Sequence, residues 1–168
     1  LRLDSDGDGR DEAVTAVTGR RDGSVWVGLA SGALLVFNPG SDAPQRTPGP
    51  VCRAGATTTL FEAPDGALWC GCSDGTVWRA SGTPPHFQSV WNETGERIHG
   101  IAAMPDGHVW AATLGSGLLE VGRDGRRYTR RHGLLNDSLI GLAADREENL
   151  WVAQYGGISR LPRDFEAF

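Results

Sequence analysis

A chain of 168 residues is long enough for one domain with a sizeable core, or for a run of small repeated units, and too short for two independent domains. Its net charge of −5, with sixteen arginines and no lysine, argues against a nucleic-acid partner. No apolar stretch approaches the length of a membrane span, no signal peptide is recognisable, and a first residue other than Met is expected of a piece of a longer or processed chain.

In chain order, four copies of one unit appear. An apolar run at 13–17 leads into Asp22-Gly23-Ser24-Val25-Trp26-Val27-Gly28, then a turn at Ala30-Ser31-Gly32, then Leu34-Leu35-Val36-Phe37 and a polar run at 45–47. The second copy runs from 57–61 through Asp65-Gly66-Ala67-Leu68-Trp69-Cys70-Gly71 and Ser73-Asp74-Gly75 to Val77-Trp78-Arg79 and 87–90. The third runs from 98–103 through Asp106-Gly107-His108-Val109-Trp110-Ala111-Ala112 and Gly115-Ser116-Gly117 to Leu118-Leu119-Glu120-Val121 and 126–131. The last runs from 139–144 through Glu148-Asn149-Leu150-Trp151-Val152-Ala153 and Gly156-Gly157 to Ile158-Ser159-Arg160-Leu161 and 165–168. The tryptophans at the repeated place, Trp26, Trp69, Trp110 and Trp151, stand 43, 41 and 41 residues apart.

A period near 40 residues fits propeller blades and also helical repeats, and the strand signals choose between them. Each Asp-Gly between short apolar runs reads as a type I′ hairpin turn. The first two strands of each copy are apolar on both faces, so each sheet must be covered on both sides. Radially stacked blades do this, whereas a sandwich leaves one face of each strand wet. The expected fold is therefore an all-β propeller of four four-stranded antiparallel blades, with units at 12–50, 51–94, 95–134 and 135–168, and it is open to membership of a larger ring. Trp26, Trp69, Trp110 and Trp151 are expected to fill the space between blades. In a larger ring the end blades would have unpaired edges, and two isolated chains would be expected to pair into an eight-blade homodimer.

Cys52, Cys70 and Cys72 leave at least one thiol unpaired. Buried small apolar roles are expected for them, with a disulfide from Cys52 to Cys72 or Cys70 as the alternative. The pairs Arg20-Arg21, Arg126-Arg127 and Arg130-Arg131 read as solvated strand ends and turns.

The stretch His132-Gly133-Leu134-Leu135-Asn136-Asp137-Ser138-Leu139, with Asp145-Arg146-Glu147-Glu148-Asn149-Leu150-Trp151-Val152 and Gly156-Gly157-Ile158-Ser159-Arg160-Leu161, resembles the two-component regulator propeller repeat. The copy at 14–37 resembles it too, while those at 56–78 and 98–120 lack its Gly-Leu-Pro-x-Asn opening. The resemblance implies a non-enzymatic, ligand-sensing segment of a periplasmic or extracellular signalling protein, with a small molecule or carbohydrate as ligand. The competing expectations are a scaffold that binds protein through the propeller face and, since Asp-Gly-x-Val-Trp also resembles streptogramin-lyase-type propellers, an enzyme with a histidine base. His86, His99, His108 and His132 have no Ser, Cys or carboxylate partner at a telling spacing.

Ligand contacts are expected from loops at one end of the funnel, giving Ser31, Asp74, Ser116, Tyr155, Asn92, Glu93, Asn136 and Asp137 as candidates. Most of these residue types also form turns, and Tyr155 is the aromatic among the equivalent turns. The acidic opening Asp4-Ser5-Asp6-Gly7-Asp8-Gly9-Arg10-Asp11-Glu12 is similar to the calcium loop of integrin-type propellers. That likeness implies Asp4, Asp6, Asp8 and Glu12 as ligands, and the alternative is a plain connection between blades.

Overall fold

The structure, a computed structural model, describes residues 12–47, 52, 55–82, 84–92, 95–122, 125–163 and 165. Its strands form four antiparallel sheets in sequence order. The first holds β1 (Val14–Gly19), β2 (Val25–Leu29), β3 (Leu34–Phe37) and β4 (Gln45–Thr47). The second holds β5 (Thr57–Glu62), β6 (Leu68–Cys72), β7 (Val77–Ser81) and β8 (His86–Trp91). The third holds β9 (Ile98–Ala103), β10 (Val109–Thr113), β11 (Leu118–Val121) and β12 (Arg127–Tyr128). The fourth has β13 (Leu139–Ala144), β14 (Leu150–Gln154) and β15 (Gly157–Leu161) among the described residues.

Two outer strands differ from expectation. The run at 126–131 stops at Tyr128, because Thr129 donates its backbone N–H to His132 Nδ1 at 3.0 Å and a single 3-10 turn, Arg130–His132, begins. Phe165 lies outside any strand and sets its ring against Trp110 and Tyr128, with centroids 5.2 and 5.1 Å apart. Residues 166–168 fall outside the described part.

The Asp-Gly turns are also not type I′. Gly23, Gly66 and Gly107 have positive φ, but the aspartates before them do not. Arg20 O accepts from Gly23 N at 2.9 Å while Arg20 N donates to Ser24 O at 2.8 Å, the pattern of a type I turn closed by a left-handed residue. The aspartate acts through its side chain: Asp22, Asp65 and Asp106 Oδ1 accept from the backbone N–H two residues on, at 2.9, 3.0 and 3.0 Å. In the fourth sheet Glu148 takes the left-handed place at φ 64°.

The sheets stack as blades, β1 on β5, β5 on β9 and β9 on β13. Each joint buries the tryptophan of one blade in the opposite face of the next. Trp26 packs with Leu60, Leu68 and Cys70, Trp69 with Ile101, Val109 and Ala111, and Trp110 with Leu150 and Val152. These indoles are 4, 7 and 0% exposed. Small residues two positions after the tryptophan let the inner strands close in; a Cβ on Gly71 would lie 2.6 Å from Ile98 Cγ2. Thr15 and Thr58 hydroxyls each donate across a joint, to Thr57 O and Ile98 O. Arg21 lies exposed in a turn, as expected, while Arg20 is partly buried, and both also reach the second blade: Arg20 Nε meets Glu62 Oε1 at 3.2 Å and Arg21 Nη1 donates to Pro64 O at 2.8 Å.

Trp151 departs from the expected packing. It is 40% exposed, because among the described residues no further sheet covers that face of the fourth blade. The inner strands β1 and β13 do not pack on one another as neighbouring inner strands do, so the four blades form an open arc.

Of the cysteines, Cys52 and Cys72 form a disulfide across 20 residues, the alternative reading, so only one of the three keeps the expected buried thiol. Cys70 keeps a buried thiol whose ionisation burial strongly opposes. Replacing Cys52 and Cys72 together by alanine is expected to cost about 3 kcal/mol through the freed loop, read as a lower urea midpoint; an unchanged midpoint would contradict this role. Burial, then the charge of Arg97, holds the His99 imidazole below its usual range. The unfolded chain then binds that proton more readily, so stability is complete above about pH 6.5 and falls as pH drops through that value towards the folded one. His99→Gln should flatten this slope in unfolding curves, and an unaltered slope would assign it to other groups.

Candidate functional site

Turns between the second and third strands of each blade meet the connections between blades at one end of the arc. Gly115 and Gly117 donate their N–H groups to Asp137 O at 3.1 and 2.9 Å, Ser73 N donates to Ala56 O at 3.1 Å, and Tyr155 N donates to Ser138 O at 3.4 Å. This end therefore gathers most of the residues expected there, held by backbone hydrogen bonds on a rigid frame.

Most of them serve the turns themselves. Ser31 Oγ accepts from Ala33 N at 3.3 Å, Asp74 Oδ1 from Thr76 N at 3.0 Å, and Asn136 Oδ1 from Ser138 N at 2.9 Å. Asp137 Oδ1 accepts from Arg130 N at 2.7 Å, and Ser116 N donates to Thr113 Oγ1 at 3.0 Å. Asn92 is exposed at the end of β8, and Glu93 lies outside the described residues. Tyr155 alone among the described candidates presents a large side chain to solvent, 60% exposed.

Asp4, Asp6 and Asp8 lie outside the described residues. Glu12 is described, and its carboxylate is engaged within the fold: Oε1 accepts from Ser31 N at 2.9 Å and Oε2 stands 3.9 Å from Arg46 Nη1. Among the described residues no cluster of three or more His, Cys, Asp or Glu is arranged to hold a metal ion.

Sequence reasoning missed two features. Gln154, 3% exposed, accepts from Asn136 N through Oε1 at 2.9 Å and bonds Ser159 Oγ through Nε2, which positions the Asn136 loop. At the opposite end a cleft of about 430 Å³ opens between the second and third blades, lined by Asp65, Trp69, Arg79, Met104, His108 and Val121 among others. Asp65 Oδ2 accepts from Arg79 Nη2 at 2.8 Å, and the guanidinium lies 6.0 Å from the Trp69 ring centroid. A backbone bond from Ala67, then the Arg79 contact, holds the Asp65 carboxyl below its usual range.

His108 also has the carboxylate partner that spacing did not reveal: Nδ1 lies 2.6 Å from Glu120 Oε1, and the Glu120 side chain is only 2% exposed. Residues 108 and 120 stand near each other because Val109 pairs with Val121 and Trp110 with Glu120 in the β10–β11 ladder. A histidine beside a carboxylate can pass a proton, but among the described residues no Ser, Thr or Cys lines this cleft to receive such activation.

No family model and no curated protein matches the sequence. Solved structures do match. The extracellular domain of the hybrid two component system BT4673 from B. thetaiotaomicron superposes with a TM-score of 0.78 at 19% identity, over 95% of this chain and 22% of that one. The extracellular domain of BT3049 from the same organism gives 0.71 at 18% identity, over 92% of this chain and 21% of that one. The fold is that of a β-propeller. Virginiamycin B lyase from Staphylococcus aureus, in a catalytically inactive form with quinupristin, is also similar, with a TM-score of 0.70 at 16% identity over 96% of this chain and 58% of that one. This propeller arc thus spans about a fifth of the two-component domains it matches.

Glu120→Gln is expected to lower stability by about 2 kcal/mol, because the buried site loses its charge-assisted bond to His108. Thermal melting checks this, and an unmoved transition would show that the pair carries no structural weight.

Proposed function

We propose that this chain is a ligand-sensing propeller segment of an extracytoplasmic protein of two-component signalling. The observation that carries the reading is the likeness of the whole arc to extracellular domains of two-component systems. The Cys52–Cys72 disulfide supports it, since such bonds persist in oxidising compartments such as the periplasm or cell exterior.

The ligand is a small molecule, with a carbohydrate fitting best. Tyr155 offers an exposed aromatic face for the C–H face of a sugar ring, and the neighbouring turns supply Asn136 and Asp137 as polar groups. Rigid turns suit this task because little ordering remains to be done on binding.

A glycan array followed by calorimetry on the best hit tests the reading. Tyr155→Ala is expected to weaken binding about tenfold, or about 1.4 kcal/mol, with the melting temperature unchanged because the side chain is exposed. An array without hits, together with capture of a protein at the same loops, would favour the scaffold. Turnover lost on His108→Ala would favour an enzyme.

A further inference from the structure

The four blades repeat one backbone device at the end where turns and connections meet. The residue four places after each repeated tryptophan donates its N–H to the carbonyl of the residue just before the first strand: Ala30 to Ala13 at 2.9 Å, Ser73 to Ala56 at 3.1 Å, Leu114 to Arg97 at 3.1 Å and Tyr155 to Ser138 at 3.4 Å. In the first two blades alanine and serine satisfy this device, so the backbone asks for nothing larger. The third and fourth blades place Arg97, Leu114 and Tyr155 there, all exposed, Leu114 at 40% and Tyr155 at 60%. Neither the turn nor a joint between blades accounts for side chains of this size.

These residues form one row. Leu114 and Ser138 pair as an isolated antiparallel bridge from the third blade to the fourth, with Gly115 N donating to Asp137 O at 3.1 Å beside it. That pattern is a non-hydrogen-bonded pair, in which facing side chains stand closest and on one face. Arg97 and Leu114 continue the register of Ile98 with Thr113, and Ser138 and Tyr155 that of Leu139 with Gln154. Arg97, Leu114, Ser138 and Tyr155 therefore line one face over about 14 Å at the usual strand spacing.

The chemistry of the row points to its ligand. Among the described residues the Arg97 guanidinium has no ion pair and no hydrogen-bond acceptor, and the Ser138 hydroxyl has no partner. The nearby carboxylates are turned elsewhere: Asp137 Oδ1 accepts from Arg130 N at 2.7 Å, and Glu96 lies against Gly115, where a Cβ would stand 2.8 Å from Oε2. An unengaged guanidinium fork at one end matches a carboxylate. A phenol ring at the other matches the C–H face of a sugar, with an aliphatic group and a hydroxyl between them.

We infer that Arg97, Leu114 and Ser138 extend the Tyr155 site into one for an acidic oligosaccharide, a uronic acid whose carboxylate meets Arg97 while a neighbouring ring lies on Tyr155. This rests on the sensing reading above and narrows its ligand. Arg97 selects the charge, Leu114 covers apolar C–H groups and Ser138 bonds a ring hydroxyl.

An array of uronic-acid, sulfated and neutral oligosaccharides, followed by calorimetry, tests this. Uronic-acid members are the expected hits, and the methyl ester of a hit, the same sugar without its charge, is expected to bind about tenfold more weakly. Arg97→Ala changes an exposed residue, so the melting temperature should hold while acid and ester come to bind alike. Tyr155→Ala should weaken both forms by the same factor. Neutral hits that Tyr155→Ala weakens and Arg97→Ala leaves unchanged would overturn the inference and leave the sensing reading standing. Sulfated hits without uronic acids would overturn it as well. An array without hits would overturn both.

Discussion

The burial of an indole against the aliphatic face of the following blade is the interaction on which the rest of this molecule depends. A single four-stranded blade is apolar on both sides and cannot be stable alone, so each one needs a neighbour. The tryptophan supplies the area, and a small residue two places later lets the inner strands approach. Gly28 and Gly71 face Thr57 and Ile98 so closely that a Cβ would overlap them, at 2.8 and 2.6 Å. Polar contacts then set the angle of the joint: threonine hydroxyls near the axis, and at the first joint the Arg20–Glu62 pair at one end.

Because the joint is directional, an open arc cannot have two alike ends. One end shows the indole side, with Trp151 and Ile158, and the other the receiving side, with Val17 and Val25. The exposure of these residues is a consequence of the repeat rather than a local irregularity. Trp151 donates its N–H within its own blade, to Asp145 Oδ2 at 2.7 Å, and that bond, ahead of one from Asn149, holds the Asp145 carboxyl below its usual range.

The end that carries the candidate residues was readable in part. Glycines, serines and aspartates between strands announce turns, and the candidate residues do sit in turns and connections that bond to one another. Their side chains, however, are mostly consumed by those turns, as Asp74 and Asn136 illustrate. Gln154 and the His108–Glu120 pair escaped notice because their partners stand 18 and 12 residues away and meet only through strand register. A buried polar residue in an apolar strand was the available signal, at Gln154 and Glu120 alike.

Periodicity by itself determined the fold class, the number of blades and which residue each joint would bury, because a repeated sequence can satisfy its two-sided sheets only by repeated stacking. It also marked where the chain turns, though not how: the Asp-Gly turns use one left-handed residue where two were expected, and the aspartate side chain adds a bond from the N–H two residues on. Tertiary structure alone decided which cysteines pair, that Arg20 meets a neighbouring blade, and that the fourth tryptophan stays half open. Each of these depends on what lies beside a residue in space after the blades have rotated about their axis, and a linear pattern holds no record of that rotation.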